Sequence, residues 1–214
     1  HPFKLLRLRD DRVVESFDGP LYQSARSMAS DPNGGLWLGL KNGDLAHTGA
    51  SEQSVSTHLD TSVRDIAVTS HGLILGATNK GLVAFKHGTL RTLSAKDGLP
   101  CDSMNGIVEG DGGSLWLYMS CGLVKVEPSI LDDALNNPSH TIAVKVIGPI
   151  DGLRSGYAPF QRKIARAPDG ALWFTNGVSM QTFDPRMQAQ SGDTPSIHIE
   201  SLTADRKQYP FGDH

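Results

Sequence analysis

Four polar residues recur at one position of a repeated sequence pattern. Each lies two residues before an apolar residue within a short alternating run, and the four are Arg26, Arg64, Asn105 and Arg162. Three guanidinium groups brought together would form a forked set of donors for carboxylate, sulfate or phosphate groups. The repeat therefore predicts a binding site for an anionic ligand. The alternative is that each arginine pairs with an acid near it in sequence, such as Asp31 or Asp65, and ties neighbouring elements together.

A long connection, residues 148–161, offers a second set of candidate ligand-binding residues. It is rich in glycine, proline and aromatic residues, and long loops of this kind commonly carry binding sites. Arg154 would supply charge, and Tyr157 and Phe160 would supply aromatic faces. The alternative is that this loop is a packed plug without a ligand.

Cys101 and Cys121 are the only cysteines in the chain. Cys101 precedes one predicted strand and Cys121 lies in the hairpin turn that follows, so the two can come close within one unit. A disulfide is the favoured interpretation, and an extracytoplasmic compartment would permit it. Two separate buried thiols remain the alternative. A catalytic thiol is not supported, because no pattern places a histidine beside either cysteine.

The elements that must position these residues are repeated β-hairpins. Two short apolar runs separated by a glycine-containing turn occur four times, at residues 35–48, 72–85, 114–126 and 170–183. Trp37, Ile74, Trp116 and Trp173 hold equivalent positions in these hairpins. Packing between repeats is the favoured role of the tryptophans, and stacking on sugar rings is the alternative.

Four strands in each repeat of about 40 residues predict an all-β chain built of β-propeller blades. We expect a partial propeller over residues 1–194, with blades at about 20–59, 60–95, 97–147 and 160–194. Residues 1–18 would be the outer hairpin of a preceding blade. A short helix is inserted near 129–136, and residues 141–147 would form a strand after it. Residues 195–214 would begin another domain or form a C-terminal strand. Because an incomplete propeller leaves open sheet edges, we expect a homodimer formed through them, with strand exchange between copies or continuation into a larger chain as the alternatives.

Composition narrows the range of functions. The 20 basic and 23 acidic residues give a formal net charge of −3 without a long basic cluster, so nucleic-acid binding is not expected. No apolar run approaches the length of a membrane helix, so membrane contact would come only through chain outside this sequence. The Asp-Gly turns lack a calcium-binding series and the eight histidines lack metal-site spacing, so we predict neither metal nor cofactor.

Two segments resemble repeats of the two-component regulator propeller family. They are Asp97-Gly98-Leu99-Pro100 with Asn105–Val108 and Leu115-Trp116-Leu117, and Asp151-Gly152-Leu153 with Leu172-Trp173-Phe174 and Asp184-Pro185. Residues 195–209 resemble the opening strand of the Ig-like domain that follows such propellers. The resemblance implies the C-terminal blades of a sensor's periplasmic or extracellular region, in a longer chain that continues to a membrane helix and a histidine kinase.

On this resemblance, the expected function is sensing of a small molecule or carbohydrate, with a conformational change passed to a kinase outside this sequence. An interaction scaffold is the alternative. A polysaccharide lyase or hydrolase is less favoured, because the arginine and asparagine positions include no carboxylate. The sequence thus predicts no enzyme activity for this chain itself.

Overall fold

Alternating apolar and polar residues, interrupted by glycine-containing turns, form antiparallel strands along most of the chain. The computed structural model describes residues 4–49, 53–86, 88–137, 139–156, 162–190 and 202–209. The chain divides into two compact units, His1–Phe183 and Asp184–His214. The boundary predicted from the sequence, between the propeller and the segment after it, lies between residues 194 and 195.

The first unit begins with an antiparallel hairpin of β1 (Leu5–Arg9) and β2 (Arg12–Phe17). A short helix that the sequence analysis does not predict, α1 (Pro20–Ser24), follows this hairpin. Leu5 and Phe17 are paired across the hairpin and pack near Tyr22 of α1. A hairpin is therefore present within residues 1–18, and its assignment to a preceding blade stays a prediction.

Four antiparallel sheets follow, and each has its strands adjacent in chain order. Blade 1 contains β3 (Ala25–Ser30), β4 (Leu36–Leu40), β5 (Asp44–Thr48) and β6 (Gln53–His58). Blade 2 contains β7 (Asp65–Val68), β8 (Ile74–Thr78), β9 (Gly81–Lys86) and β10 (Thr89–Leu93). Blade 3 contains β11 (Met104–Glu109), β12 (Leu115–Met119), β13 (Gly122–Val126) and β14 (Val146–Ile147). Blade 4 contains β15 (Ile164–Arg166), β16 (Leu172–Thr175) and β17 (Met180–Phe183).

The first strands of successive blades lie side by side, since β3 contacts β7, β7 contacts β11, and β11 contacts β15. This is the arrangement of inner strands in a propeller, and the predicted all-β fold with about four blades is confirmed. Blade 4 shows three paired strands within the part of the chain that the structure describes.

Glycine begins the third strand of blades 2 and 3 for a steric reason. Gly81 and Gly122 have φ angles of 122° and 146°, which side chains of L-residues rarely adopt. A Cβ atom at either position would also collide with a backbone carbonyl oxygen, that of Leu93 or that of Ile147. The turn glycines that reveal the repeat are therefore required by close contact with the end of the outer strand.

The predicted helical insertion near 129–136 is confirmed as α2 (Pro128–Asn136), which lies between β13 and β14. Pro128 occupies the first turn, where its missing N–H costs no helical hydrogen bond. The Arg91 guanidinium of blade 2 donates to the Leu135 carbonyl at the end of α2, at 2.7 Å. A cation at this end of a helix also interacts favourably with the helix dipole.

The alternating run at residues 141–147 forms a shorter strand than its pattern predicts. Only Val146 and Ile147 pair with β13. The Ile142 N–H instead donates to the Asp97 carbonyl of the preceding connection at 2.7 Å, in close contact with Gly98. Ile142 is buried in the core between blades 2 and 3. The run therefore joins two blades rather than extending one sheet.

In the second unit, β18 (Leu202–Ala204) and β19 (Lys207–Tyr209) form an antiparallel hairpin. Asp205 and Arg206 both have positive φ angles, as a two-residue hairpin turn requires. The first part of the expected Ig-like strand, up to residue 201, lies outside the described residues.

Candidate functional site

The predicted arginine and asparagine positions lie where the inner strands begin. Arg64 immediately precedes β7, Asn105 is the second residue of β11, and Arg162 lies two residues before β15. Arg26 is the second residue of β3. Because these strands run side by side in the same order, their first residues lie at one end of the propeller.

Arg64 connects blade 2 to blade 3. Its guanidinium donates to the Ser103 hydroxyl at 2.9 Å and to the Met104 carbonyl at 3.4 Å. These acceptors are neutral and belong to the next blade or the connection that enters it. Arg64 thus joins two neighbouring blades, as the alternative interpretation expects. The acceptors of these hydrogen bonds, however, are not acids near Arg64 in the sequence.

Asp65 is a buried carboxylate at the centre of this region. Its side chain accepts hydrogen bonds from the backbone N–H of Ile66 and from that of Ile107, both at 3.0 Å. Burial raises the pKa of Asp65, while these hydrogen bonds and the charges of Arg162 and Lys163 act in the opposite direction. The carboxylate is therefore held by backbone donors from two blades and faces two cations.

Lys163 is the second buried charge, with 4% of its surface exposed. Burial lowers the pKa of Lys163, the Arg64 charge lowers that pKa further, and the Asp65 charge raises it. Arg64, Arg162 and Lys163 therefore lie close enough to one carboxylate or to each other for their charges to interact. Three of these residues, Arg64, Arg162 and Lys163, are cations and the fourth is Asp65, and we call the four residues the cationic cluster.

Gly106 allows this cluster to form across blade 3. A Cβ atom at Gly106 would lie 2.7 Å from Cγ2 of Ile164 and 3.1 Å from Oδ2 of Asp65. Any side chain at this position would therefore push the inner strands of blades 2 and 4 away from blade 3. The absence of a side chain lets the Asp65 carboxylate reach the Ile107 N–H.

The two remaining arginines of the prediction differ in position. Arg162 is exposed, has a φ angle of 55°, and interacts electrostatically with Asp65. Arg26 is exposed on β3, and neither the hydrogen bonds nor the ion pairs of the described residues place it in the cluster. The structure thus places Arg162 near Asp65 and Arg64 near Lys163, and leaves Arg26 outside the cationic cluster.

Asp31, the acid suggested as a partner of Arg26, is engaged by other groups. Its carboxylate accepts from Nε1 of Trp37 at 2.8 Å and lies 3.0 Å from Nε2 of His47. Burial raises the pKa of Asp31, but the hydrogen bonds from the Asn33 backbone N–H and from Trp37, with the charge of His47, outweigh it and lower this pKa. Asp31 therefore stabilises the start of the first hairpin of blade 1 rather than an arginine of the site.

Asn105 holds the connection between blades 3 and 4. Its side chain is buried, and its amide donates to the Gly156 carbonyl at 3.2 Å.

The backbone of Arg154 is hydrogen-bonded through both of its polar groups, because its N–H donates to Gln181 and its carbonyl accepts from Gln181 and Asn176. The Arg154 side chain is exposed. Tyr157 and Phe160, predicted as ligand contacts, lie outside the described residues.

Cys101 and Cys121 form a disulfide bond, with their Cα atoms 6.3 Å apart. The bond joins the connection before β11 to the β12–β13 turn. In that connection the Ser103 hydroxyl accepts from Arg64, and in that turn the Ser120 carbonyl accepts from the Ser155 hydroxyl at 2.7 Å. The disulfide therefore fixes the two segments that contact the arginine of blade 2 and the connection to blade 4.

The sequence pattern suggests Asp65 only as an acid paired with a nearby arginine and gives no role to Lys163, although each directly follows a predicted arginine in the chain. The sequence feature that could have identified both residues is a charged residue directly after the arginine, as in Arg64-Asp65 and Arg162-Lys163. The sequence argument against an enzyme, that no carboxylate lies at these positions, is corrected by Asp65. Both oxygens of this carboxylate nevertheless accept backbone hydrogen bonds.

Two classes of feature are absent from the described part of the chain. No three His, Cys, Asp or Glu side chains come together there as a set of metal ligands. Neither of the helices that the structure describes has the length and apolar character needed to cross a bilayer.

Comparison with solved structures finds the same architecture in an extracellular domain of a bacterial protein. The chain superimposes with a TM-score of 0.69 and 18% identity on the extracellular domain of a protein described as a hybrid two-component system, BT3049, from B. thetaiotaomicron. The match covers 96% of this chain and 29% of that domain. This chain therefore spans less than a third of the length of that structure, and the likeness shows a shared fold.

Two other solved structures share the fold at lower similarity. A catalytically inactive virginiamycin B lyase from Staphylococcus aureus, with quinupristin, has a TM-score of 0.54 at 12% identity, covering 87% of this chain and 64% of the lyase. PorZ, a surface component of the type-IX secretion system of Porphyromonas gingivalis, has a TM-score of 0.50 at 13% identity, covering 86% of this chain and 28% of PorZ. No protein-family model and no curated protein sequence matches the chain.

Proposed function

We propose that this chain is part of the extracytoplasmic region of a two-component sensor and binds an anionic small molecule or acidic sugar at the cationic cluster. The observation that carries the proposal is the gathering of Arg64, Arg162 and Lys163 with one buried carboxylate, at the start of the inner strands. The structural likeness to an extracellular sensor domain supports the cellular role.

The chemistry of the cluster favours a carboxylate ligand. Arg162 is exposed at its edge and offers a planar guanidinium, which binds carboxylates through two parallel hydrogen bonds. The charge of Arg64 acts on Lys163, and the charges of Lys163 and Arg162 act on Asp65. An anion bound at Arg162 would be attracted by these cations as well.

A ligand transmits a signal only if it binds one conformation better than another. The connection from blade 3 to blade 4 is the element that the cluster can bias, because it leads directly into Arg162. Its backbone is held by Asn105 and by Gln181. Anion binding at Arg162 would tighten this connection, and we infer that the change continues towards a kinase domain outside this sequence.

Calorimetric titration with galacturonate, and with galactose as the neutral counterpart, tests the proposal. Galacturonate is expected to bind and galactose to bind more weakly, because only the former carries the carboxylate. Arg162→Gln is expected to weaken galacturonate binding by about 1.5–3 kcal/mol, the usual contribution of a hydrogen bond to a charged group.

Arg166→Gln is the matched control, since Arg166 ends the strand that Arg162 precedes and pairs with Asp111. Unchanged affinity in the control and reduced affinity in Arg162→Gln support the proposal. Equal affinity for the two sugars, or unaltered affinity in Arg162→Gln, would reject a site at the cationic cluster and favour an interaction scaffold. We expect galacturonate to be recovered unchanged after incubation, because both Asp65 oxygens are occupied by backbone donors.

A further inference from the structure

In blades 1 and 3, the tryptophan at the second position of the second strand has a partner in the following blade. Trp37 of blade 1 contacts Phe85 of blade 2, with ring centroids 5.8 Å apart. Trp116 of blade 3 contacts Phe183 of blade 4 in the same way, at 5.4 Å. Both tryptophans are buried, and Trp116 retains only 1% exposure. A side chain from the third strand of the next blade therefore covers each of these rings.

Trp173 holds the same position in blade 4 but is 45% exposed. It pairs with Ala165 on one side and Thr182 on the other, so these three residues share one face of the sheet. Met180, two residues from Thr182 along β17, lies on this face and is 70% exposed. Blade 4 thus presents an apolar face of the kind that blades 1 and 3 bury.

The β1–β2 hairpin presents the complementary face. Leu6, Leu8, Val13 and Val14 are all exposed, Leu8 by 61%. A register shift beside Leu8 inserts Val14 as an extra residue, which places both valines on the side of Leu8. The opposite face carries Leu5 and Phe17, which pack towards α1 and blade 1.

Leu8 occupies the position that Phe85 holds in blade 2. Each is the next-to-last residue of the first strand of an outer hairpin, followed by a basic residue and a tight turn. Phe85 points towards the preceding blade and covers its tryptophan. The exposed face of the β1–β2 hairpin therefore has the position and the apolar character needed to cover a tryptophan of a blade beside it.

We propose that the Trp173 face of one copy of this chain docks on the Leu8 face of a second copy. The contact would continue the packing that already joins blades 1 and 2 and blades 3 and 4. In a two-fold arrangement, each of the two surfaces of one copy meets the other surface of its partner, so the same contact forms twice. The two surfaces lie in the first and last sheets of the first unit, so each copy supplies one half of both contacts.

Sedimentation equilibrium over a wide concentration range tests the dimer, with a charge-pair design to establish the pairing. Leu8→Asp and Trp173→Lys are each expected to weaken self-association by at least about 30-fold, the loss typical of a truncated interface tryptophan. Mixing the two variants should restore association. One contact then brings the two substituted positions together with opposite charges, and the other contact retains the natural leucine and tryptophan.

Ile150→Asp is the control, because Ile150 is fully exposed and lies on neither face. Circular dichroism melts of each variant check that folding is retained, and the mixing experiment gives a result that misfolded variants could not. A wild-type protein that stays monomeric, or a dimer that neither substitution weakens, overturns the proposal. A monomer would show that other β-strands, rather than a second copy, cover these faces.

Discussion

The carboxylate of Asp65 on β7 accepts a hydrogen bond from the backbone N–H of Ile107 on β11 at 3.0 Å, and so joins blade 2 to blade 3. A second bond, from the Ile66 N–H, orients the same carboxylate. Replacing Asp65 with alanine would leave buried backbone donors without an acceptor. We expect Asp65→Ala to lower the free energy of unfolding by about 1–3 kcal/mol at neutral pH.

Denaturant unfolding measures this loss, and hydrogen exchange localises it. The Ile107 amide is expected to exchange faster in Asp65→Ala. Asp60→Ala is the control, because Asp60 lies in the connection that leads into β7 but is exposed. An Ile107 amide that keeps its protection in Asp65→Ala would contradict a direct role of this hydrogen bond.

The same substitution tests the titration of Asp65. Because burial raises the pKa of Asp65 above its ordinary value of 3.8, the folded protein holds this proton at pH values where the unfolded chain has lost it. The contribution of Asp65 to the free energy of unfolding therefore falls as pH rises from 3.8 through the raised pKa, and is constant above it.

Unfolding measured across acidic pH for both proteins gives the difference in unfolding free energy, wild type minus Asp65→Ala. This difference is expected to decrease with rising pH in that window, since contributions from other carboxylates cancel. A difference that increases with pH would mean that hydrogen bonds and cations lower the pKa of Asp65 instead.

Gly106→Ala is expected to destabilise the protein by about 1–3 kcal/mol, the usual effect of adding a methyl group to a packed interior. The new Cβ would meet Ile164 at 2.7 Å and the Asp65 carboxylate at 3.1 Å. Thermal unfolding measures the effect. Gly76→Ala is the matched control on a strand of blade 2, because its Cβ would be 3.5 Å or more from its neighbours. Equal melting temperatures for the two variants would argue against tight packing at Gly106.

Replacing both cysteines with serine is expected to lower the free energy of unfolding by about 3 kcal/mol, because the bond closes a loop between residues 20 apart in sequence. Denaturant unfolding of the double variant and of oxidised wild type gives the difference. Alkylation of native, unreduced protein followed by intact mass measurement is the independent check. Incorporation of two alkyl groups would show free thiols and exclude the disulfide.

Local features of the fold could be predicted because they depend on residues that are close together in the sequence. The hairpins follow from alternating residues around turn glycines such as Gly81. The helix α2 is predicted from Ser129 with Asp132 three residues later and from Pro138 beyond the helix end, although its N-cap is Glu127. The run at 141–147 misled the prediction, because its alternation is that of a strand while the Ile142 N–H bonds to Asp97 in another element. The sequence of this run does not reveal which residues of another blade its backbone will contact.

The site was predictable only in part for the same reason. The repeat placed Arg64 and Arg162 at one end of the propeller. Lys163 and Asp65 meet only because Gly106, in the blade between them, has no side chain. That condition depends on the packing of three blades, which no single repeat reveals. The exposure of Trp173 likewise depends on what lies beside blade 4, and its equivalence to Trp116 suggested burial.

The position of α2 has a consequence for the order of folding. Blade 3 receives its last strand, β14, only after the chain has passed through α2 and the segment that contacts Gly98. Closing a longer loop costs more chain entropy, and non-local contacts form more slowly than local hairpins. The β12–β13 hairpin can therefore form early, whereas pairing of β14 with β13 requires closure of the longer loop that contains α2. Blade 3 would complete its sheet later than blades 1 and 2, although its hairpin is deeply buried.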